Sequence, residues 1–452
     1  LIEKYETTSR LDYQNKFFDK DRRLKDQADT RTRNDDAMRA LNSLPMGEYY
    51  SYDQIVEWMQ KLQHLNPSFV RQISIGTTHE GRNIVGLIVR IVSIHSILRC
   101  KCFKKKGTIY PCQCANCSIV DNGNNCYCYL QLISRYGQDP KITEYVNTLN
   151  IYIFPCLNPD GYEYTRSDPH KPAVRSFIFV RMWRKNRSPE KCVDKDSKTV
   201  CCKGVDLNRN FAFRFAEIGS SSSPCSEIYH GNYAFSEPES RAIRDAVLSL
   251  GNRIDAYITL HTYSQLWIYP YSHKKHAYSE DVNDLKSLAR KAVASLQQLY
   301  GTHYRYGTGP EIIYPYAGGS CDWAKETAKI KYTYTLELRP SSFDWNGFIL
   351  DKRQLIPTGR ETFEGVKVVL DKVIENEKRR NGKAILIESV DRGEGVQGQS
   401  FPPSPLESRR SVGKEGGKEE RREKGSKFRV LTLHPHVRIG YQLIHRYVTQ
   451  TR

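Results

Sequence analysis

Apolar residues first recur at helical spacing just after Tyr49, where Tyr52, Ile55, Val56, Trp58, Met59 and Leu62 share one face. Asp53 is the expected N-cap and Asn66-Pro67 the stop. Residues 70–75 and 84–92 read as strands joined by a Gly81-Arg82 turn, and 149–154 as a strand followed by an Asn158-Pro159-Asp160-Gly161 turn. Ser236-Glu237-Pro238-Glu239 predicts a capping box that opens a helix running to about residue 250. A strand over 255–260 delivers His261 at its carboxyl end, 281–300 is helical, 331–338 is a strand with Glu337 near its end, and 359–380 is an amphipathic helix.

Strands alternating with helices predict an α/β fold: a single domain with a mixed, twisted central sheet covered by helices on both faces. Ligands in such sheets bind beyond the carboxyl ends of the strands, where His261 and Glu337 both fall. Two stretches break the pattern. Residues 91–130 hold seven of the 13 cysteines with little periodicity, and residues 381–452 are Gly-, Ser- and charge-rich. The domain layout is therefore a pro-segment remnant or linker over 1–44, a globular domain over 45–380 with 91–130 as an anomalous insert, and a low-complexity tail over 381–452.

Net charge is +18, and residues 377–452 carry 17 Lys and Arg against 9 Asp and Glu. A basic tail can attract nucleic acid or an acidic membrane, but no aromatic or groove-reading motif accompanies it, so a solvated tail is the reading and no nucleic acid is expected. No run of 18 apolar residues occurs, so no membrane span is expected. The cysteine usage leans toward an oxidising compartment. The chain starts at Leu1 with no signal segment, and we expect that start to be incomplete.

Several segments carry chemistry. Asn208-Arg209 can present an amide and a planar cation to one carboxylate, or can be a plain structural turn. His261 suits a metal, or is a satisfied core histidine. Glu337 is placed to act as a general base, or merely to pair with Arg339. The segment from Ile313 to Trp323, with Tyr314, Tyr316, Gly318 and Gly319, reads as a mobile flap or an ordinary aromatic turn.

Taken in order, Trp183-Arg184-Lys185, Val205-Asp206-Leu207-Asn208-Arg209-Asn210, Pro224-Cys225-Ser226-Glu227, His261-Thr262-Tyr263, Tyr314 with Gly318-Gly319-Ser320, and Leu336-Glu337-Leu338-Arg339 resemble the zinc metallocarboxypeptidases of the pancreatic A/B type. The resemblance covers about residues 49–90 and 131–380. It implies one zinc ion per chain with His261 as a ligand, and Glu337 as the base that takes a proton from zinc-bound water. It implies Arg184 as oxyanion stabiliser, Asn208 and Arg209 as the grip on a C-terminal carboxylate, and Tyr314 and Tyr263 over the substrate. Cys321 would stand where side-chain preference is set and, being neutral, would favour neutral or apolar C-terminal residues. Cys202 and Cys225 would form a disulfide. The implied partners are peptide or protein C-termini, met by a secreted monomer.

One part of that pattern is missing. The family's first two zinc ligands come from a His-x-x-Glu motif, and none of the 12 histidines has Glu three positions later; His95 has Leu98 there. Glu227 and His230 have the reverse order. The motif belongs within 91–130, which reads as translated intron or a mispredicted exon; a new cysteine metal site is the rival reading. The replacement is expected to remove a strand and a helix from the fold and to leave hydrolysis impaired. The alternative function is a non-catalytic relative that binds peptide C-termini.

Overall fold

The computed structural model describes residues 46–90, 107–111, 127–128, 130–167, 180–195, 198–344 and 347–391. The linker over 1–44, most of 91–130 and the tail from 392 onward lie outside them.

An eight-stranded mixed sheet carries the fold, in the order β1-β2-β4-β3-β7-β10-β8-β9. Its strands are β1 (Val70–Thr77), β2 (Asn83–Val89), β3 (Gly107–Pro111), β4 (Asn150–Phe154), β7 (Ile254–Ser264), β8 (Leu266–Tyr269), β9 (Arg305–Thr308) and β10 (Tyr332–Ser341). The centre from β4 through β3 and β7 to β10 is parallel, whereas β1–β2, β2–β4 and β10–β8 are antiparallel. A separate hairpin pairs β5 (Lys191–Lys195) with β6 (Lys198–Cys202).

Alternation along the central strands divides the interior into two cores. Ala256, Ile258 and Leu260 of β7, with Tyr332, Tyr334, Leu336 and Leu338 of β10, face a large core. That core is closed by α1 (Tyr52–Leu65), α2 (Pro140–Thr148), α5 (Val282–Tyr300) and α8 (Leu355–Asp391). Ile254 and Tyr257 face the opposite core, closed by α4 (Pro238–Leu250) and α7 (Ser320–Glu326). Two further helices are α3 (Pro159–Thr165) and the single turn α6 (Gly309–Ile312). Both faces of the sheet are covered, as the sequence predicts. No helix among the described residues is long and apolar enough to cross a membrane.

Local chemistry corrects several sequence expectations. Ser51, not Asp53, caps α1, because its hydroxyl accepts from Gln54 N while the Gln54 side chain accepts from Ser51 N. Asn158-Pro159-Asp160-Gly161 is a helix start rather than a turn: Asn158 Oδ1 accepts from Gly161 N and Pro159 fills the first helical position. Ser236 does not cap α4; its hydroxyl donates to Glu237 Oε1, and Glu237 occupies the cap position with no side-chain hydrogen bond to the helix. His261 lies inside β7, three residues before its end, because β7 runs to Ser264. The long helix α8 spans 37 residues rather than the shorter span that periodicity gives.

The expectation that 91–130 removes a strand is also corrected, while a helix within that stretch is described only at its end, at residues 127–128 and 130. Gly107–Pro111 forms β3, hydrogen-bonded between β4 and β7, and residues 130–134 are helical, with Leu132 and Ile133 in the large core. Of the candidate cysteine metal site, Cys112, Cys114, Cys117 and Cys126 lie outside the described residues, as does His95, whereas Cys128 is a free cysteine buried in the large core.

Candidate functional site

Parallel pairing of β7 with β10 places His261 opposite Glu337 in register. Register partners on parallel strands point to one side of the sheet, so both side chains share the face opposite the large core. His261 is buried, with Nε2 3.0 Å from Thr259 Oγ1 on the same face. Glu337 is half-buried and contributes to raising the Tyr263 phenol above its ordinary value, after burial, which is the larger cause. Tyr263 packs edge-on against Phe348 at 5.0 Å. The pairing of Glu337 with Arg339, its bland alternative, is not the main fate of Arg339, whose guanidinium is held by Glu361 and Thr302 in the interior.

The 205–211 segment is fixed by Asp206, which the sequence reading passed over. Its buried carboxylate accepts from Asn208 N at 3.1 Å and from Arg184 Nε at 2.9 Å, and Arg209 Nη1 lies 3.9 Å away. One anion thus positions all three polar residues. Arg209 is 2% exposed; Nε donates to Gly219 O and Nη1 to Asn208 O, and the guanidinium lies 4.7 Å from the Tyr316 ring centre. Asn208 Oδ1 accepts from Ser320 N at 3.1 Å, so its amide N–H groups are the part left to donate to a ligand. An Asp side chain readily accepts from the backbone N–H two residues on, and that was the available signal for Asp206.

Beside them, burial pushes the Glu227 carboxyl up, opposed by Lys185 and Arg184. His230 is engaged elsewhere, with Nδ1 2.7 Å from Gly231 O and its ring edge-on to Phe215. The Ile313–Trp323 segment is a short connection that ends in a helix. It follows the single turn α6 and leads into α7, which begins at Ser320. Within it Tyr314 is 41% exposed and packs edge-on against Tyr316. Gly318 adopts a left-handed φ of +70°, and a Cβ there would meet Arg209 O at 2.3 Å, so glycine allows the loop to lie on the Arg209 backbone. Cys321 is buried in the first turn of α7, its thiol pushed up by burial, with Thr333 and Thr335 of β10 among its partners. His261, Glu337, Thr335 and Cys321 therefore lie on one side of the sheet. Asp322 accepts from Ser272 N, and burial raises its carboxyl to about 7.

Two disulfides are present among the described residues. Cys202–Cys225 matches the pairing that the resemblance implies, and Cys192–Cys201 across the β5–β6 hairpin was not foreseen. Closing the 23-residue separation of the former is worth about 3 kcal/mol in the chain-entropy account.

A catalytic zinc site needs three protein ligands. Among the described residues only one group brings three His, Cys, Asp or Glu donor atoms together, and it is His79, Glu237 and Glu239, without His261. The described residues around His261 thus do not make up a catalytic zinc donor set.

A family model described as zinc carboxypeptidase matches residues 55–365. Carboxypeptidase B of Astacus astacus is 36% identical over 328 residues, 71% of this chain and 95% of the relative. A zinc carboxypeptidase of Simulium vittatum is 37% identical, covering 74% and 98%, and carboxypeptidase A1 of Bos taurus is 34% identical, covering 75% and 73%. Among solved structures, bovine thrombin-activatable fibrinolysis inhibitor in complex with tick carboxypeptidase inhibitor superposes with a TM-score of 0.62 at 32% identity, covering 73% of this chain and 99% of that one. Carboxypeptidase A from Helicoverpa armigera gives 0.62 at 26% identity, covering 73% and 74%.

Proposed function

This chain belongs to the zinc carboxypeptidase family, and on that premise we propose that it engages the free C-terminus of a peptide or protein and is built to release the last residue. The observation that carries the reading is the register of His261 with Glu337, on the face that also holds Cys321. Arg209 and Asn208 are pre-set to grip the carboxylate, since their backbone-held contacts fix them before ligand arrives. Tyr314 is exposed enough to swing over the bound end, and Tyr263 flanks Glu337. Arg184, held by Asp206, supplies a fixed positive charge for an oxyanion. Glu337 accepts the proton of the attacking water. Buried, neutral Cys321 favours a neutral or apolar C-terminal side chain.

Zinc is the family's metal, but no His-x-x-Glu motif exists here and the described residues do not complete a donor set around His261. We therefore propose that hydrolysis by this chain is weak or absent while binding is kept. The non-catalytic reading is favoured by the missing His-x-x-Glu motif, and the enzymatic one by the presence of Glu337, which a binder does not need. The disulfides support action in an oxidising compartment, and we propose that the chain is secreted and acts as a monomer. The test is turnover. The purified chain, with zinc added, is given an N-blocked dipeptide ending in Phe. Slow or undetectable release of Phe is expected, and release at ordinary carboxypeptidase rates refutes the impairment.

A further inference from the structure

We propose that His79, Glu237 and Glu239 form a second site, which binds a zinc-type divalent cation independently of His261. One donor atom from each of the three lies within 4.8 Å of the other two. His79 Nε2 is already 2.9 Å from Glu237 Oε2. Donors about 2.0–2.2 Å from a tetrahedral zinc stand about 3.3–3.6 Å apart, so the pair at 2.9 Å must open by a few tenths of an ångström and no pair need close by more than about 1.5 Å. His79 lies beside the Gly81 turn between β1 and β2 with its side chain 25% exposed, so it is the donor free to move and the route of entry.

The two carboxylates are held ready. Glu237 and Glu239 flank Pro238 at the start of α4, and Glu237 spends neither oxygen on capping the helix. Asn186 Nδ2 donates to Glu237 Oε2 at 2.8 Å and to Glu239 Oε2 at 2.9 Å, and Ser236 Oγ donates to Glu237 Oε1. Outer hydrogen bonds of this kind orient metal-ligating carboxylates. Glu239 is 1% exposed, yet its Oε1 has no hydrogen-bond partner. A buried carboxylate oxygen without a donor is costly, and a cation beside it removes that cost. Neighbouring Asp160 does not compete, because Thr78, Glu80 N and Arg82 already occupy it. One imidazole and two carboxylates, with a solvent-side position left over, match zinc better than the all-oxygen shells of calcium or magnesium.

The test uses the full chain, stripped with chelator, dialysed against zinc, freed of excess and analysed for bound metal. The wild type and His261→Ala are expected to hold this zinc, and His79→Ala and Glu239→Gln each to lose one zinc per chain. In the wild type, zinc is also expected to slow acylation of His79 by diethylpyrocarbonate at least tenfold, read by mass spectrometry, which needs no variant to fold. Unchanged zinc content in both variants, a wild type that holds no zinc, or unprotected His79 overturns the inference. Zinc lost from His261→Ala alone also overturns it, while supporting a metal at the carboxypeptidase site.

Discussion

Amidating the C-terminus of a peptide ligand should weaken its binding to this chain about 100-fold. The perturbation belongs on the ligand, because Arg209 and Asn208 are structural as well as receptive. Truncating Arg209 would strip Gly219 O and Asn208 O of their donors, and a loss of binding would be confounded with a loss of folding. Two of the five N–H donors of Arg209 are committed to those carbonyls, and its face lies against Tyr316. Hydrogen bonds to a charged group are worth about 1.5–3 kcal/mol each, and an amide loses the charge while presenting N–H groups to donors. A net loss of about 3 kcal/mol corresponds to about 100-fold in affinity. Titration calorimetry of an N-blocked dipeptide ending in Phe, as acid and as amide at pH 7, measures it. Affinities within threefold of each other would refute the assignment of Asn208 and Arg209 to the carboxylate.

Asp322→Asn should stabilise the fold in a pH-dependent way. The folded carboxyl is raised from 3.8 to about 7 by burial, so its cost is absent below about pH 4, grows between 4 and 7 and is full above 7. That rise bounds the gain at about 4 kcal/mol, and denaturant unfolding at pH 5 and pH 8.5 should show a larger gain at the higher pH. Gly318→Ala should destabilise by about 2 kcal/mol or more, since a left-handed φ and a backbone contact combine there, and it should weaken acid-ended peptides through Arg209. Replacing both Cys202 and Cys225 by Ser should cost about 3 kcal/mol in denaturant unfolding. Peptides ending in Phe should bind more tightly than peptides ending in Lys, because buried Cys321 offers no negative charge to a cationic side chain.

The sheet and its paired key residues were legible because burial writes itself into period. The alternation of β7 and β10 marked two strands ending in polar residues, and parallel pairing then put His261 beside Glu337. What was not legible depends on where side chains meet across long separations. Asp206 looks like one more turn residue until Arg184 and Asn208 converge on it. Asn158-Pro159-Asp160-Gly161 has turn composition, and only the hydrogen bond from Gly161 N to the Asn158 side chain makes it a helix start. The strand Gly107–Pro111 was missed because the cysteines around it obscure any alternation. The group formed by His79, Glu237 and Glu239 joins residues 158 positions apart, with no motif to announce it.

The central claim, that this chain holds a peptide C-terminus but does not cleave it at carboxypeptidase rates, is tested most directly by one incubation. The full chain with zinc in excess over two equivalents is mixed with an N-blocked dipeptide ending in Phe, and mass spectrometry reads both the fraction bound and the fraction cleaved over time. Peptide recovered bound and intact is the predicted result. Rapid appearance of free Phe, or no bound peptide at all, contradicts the account.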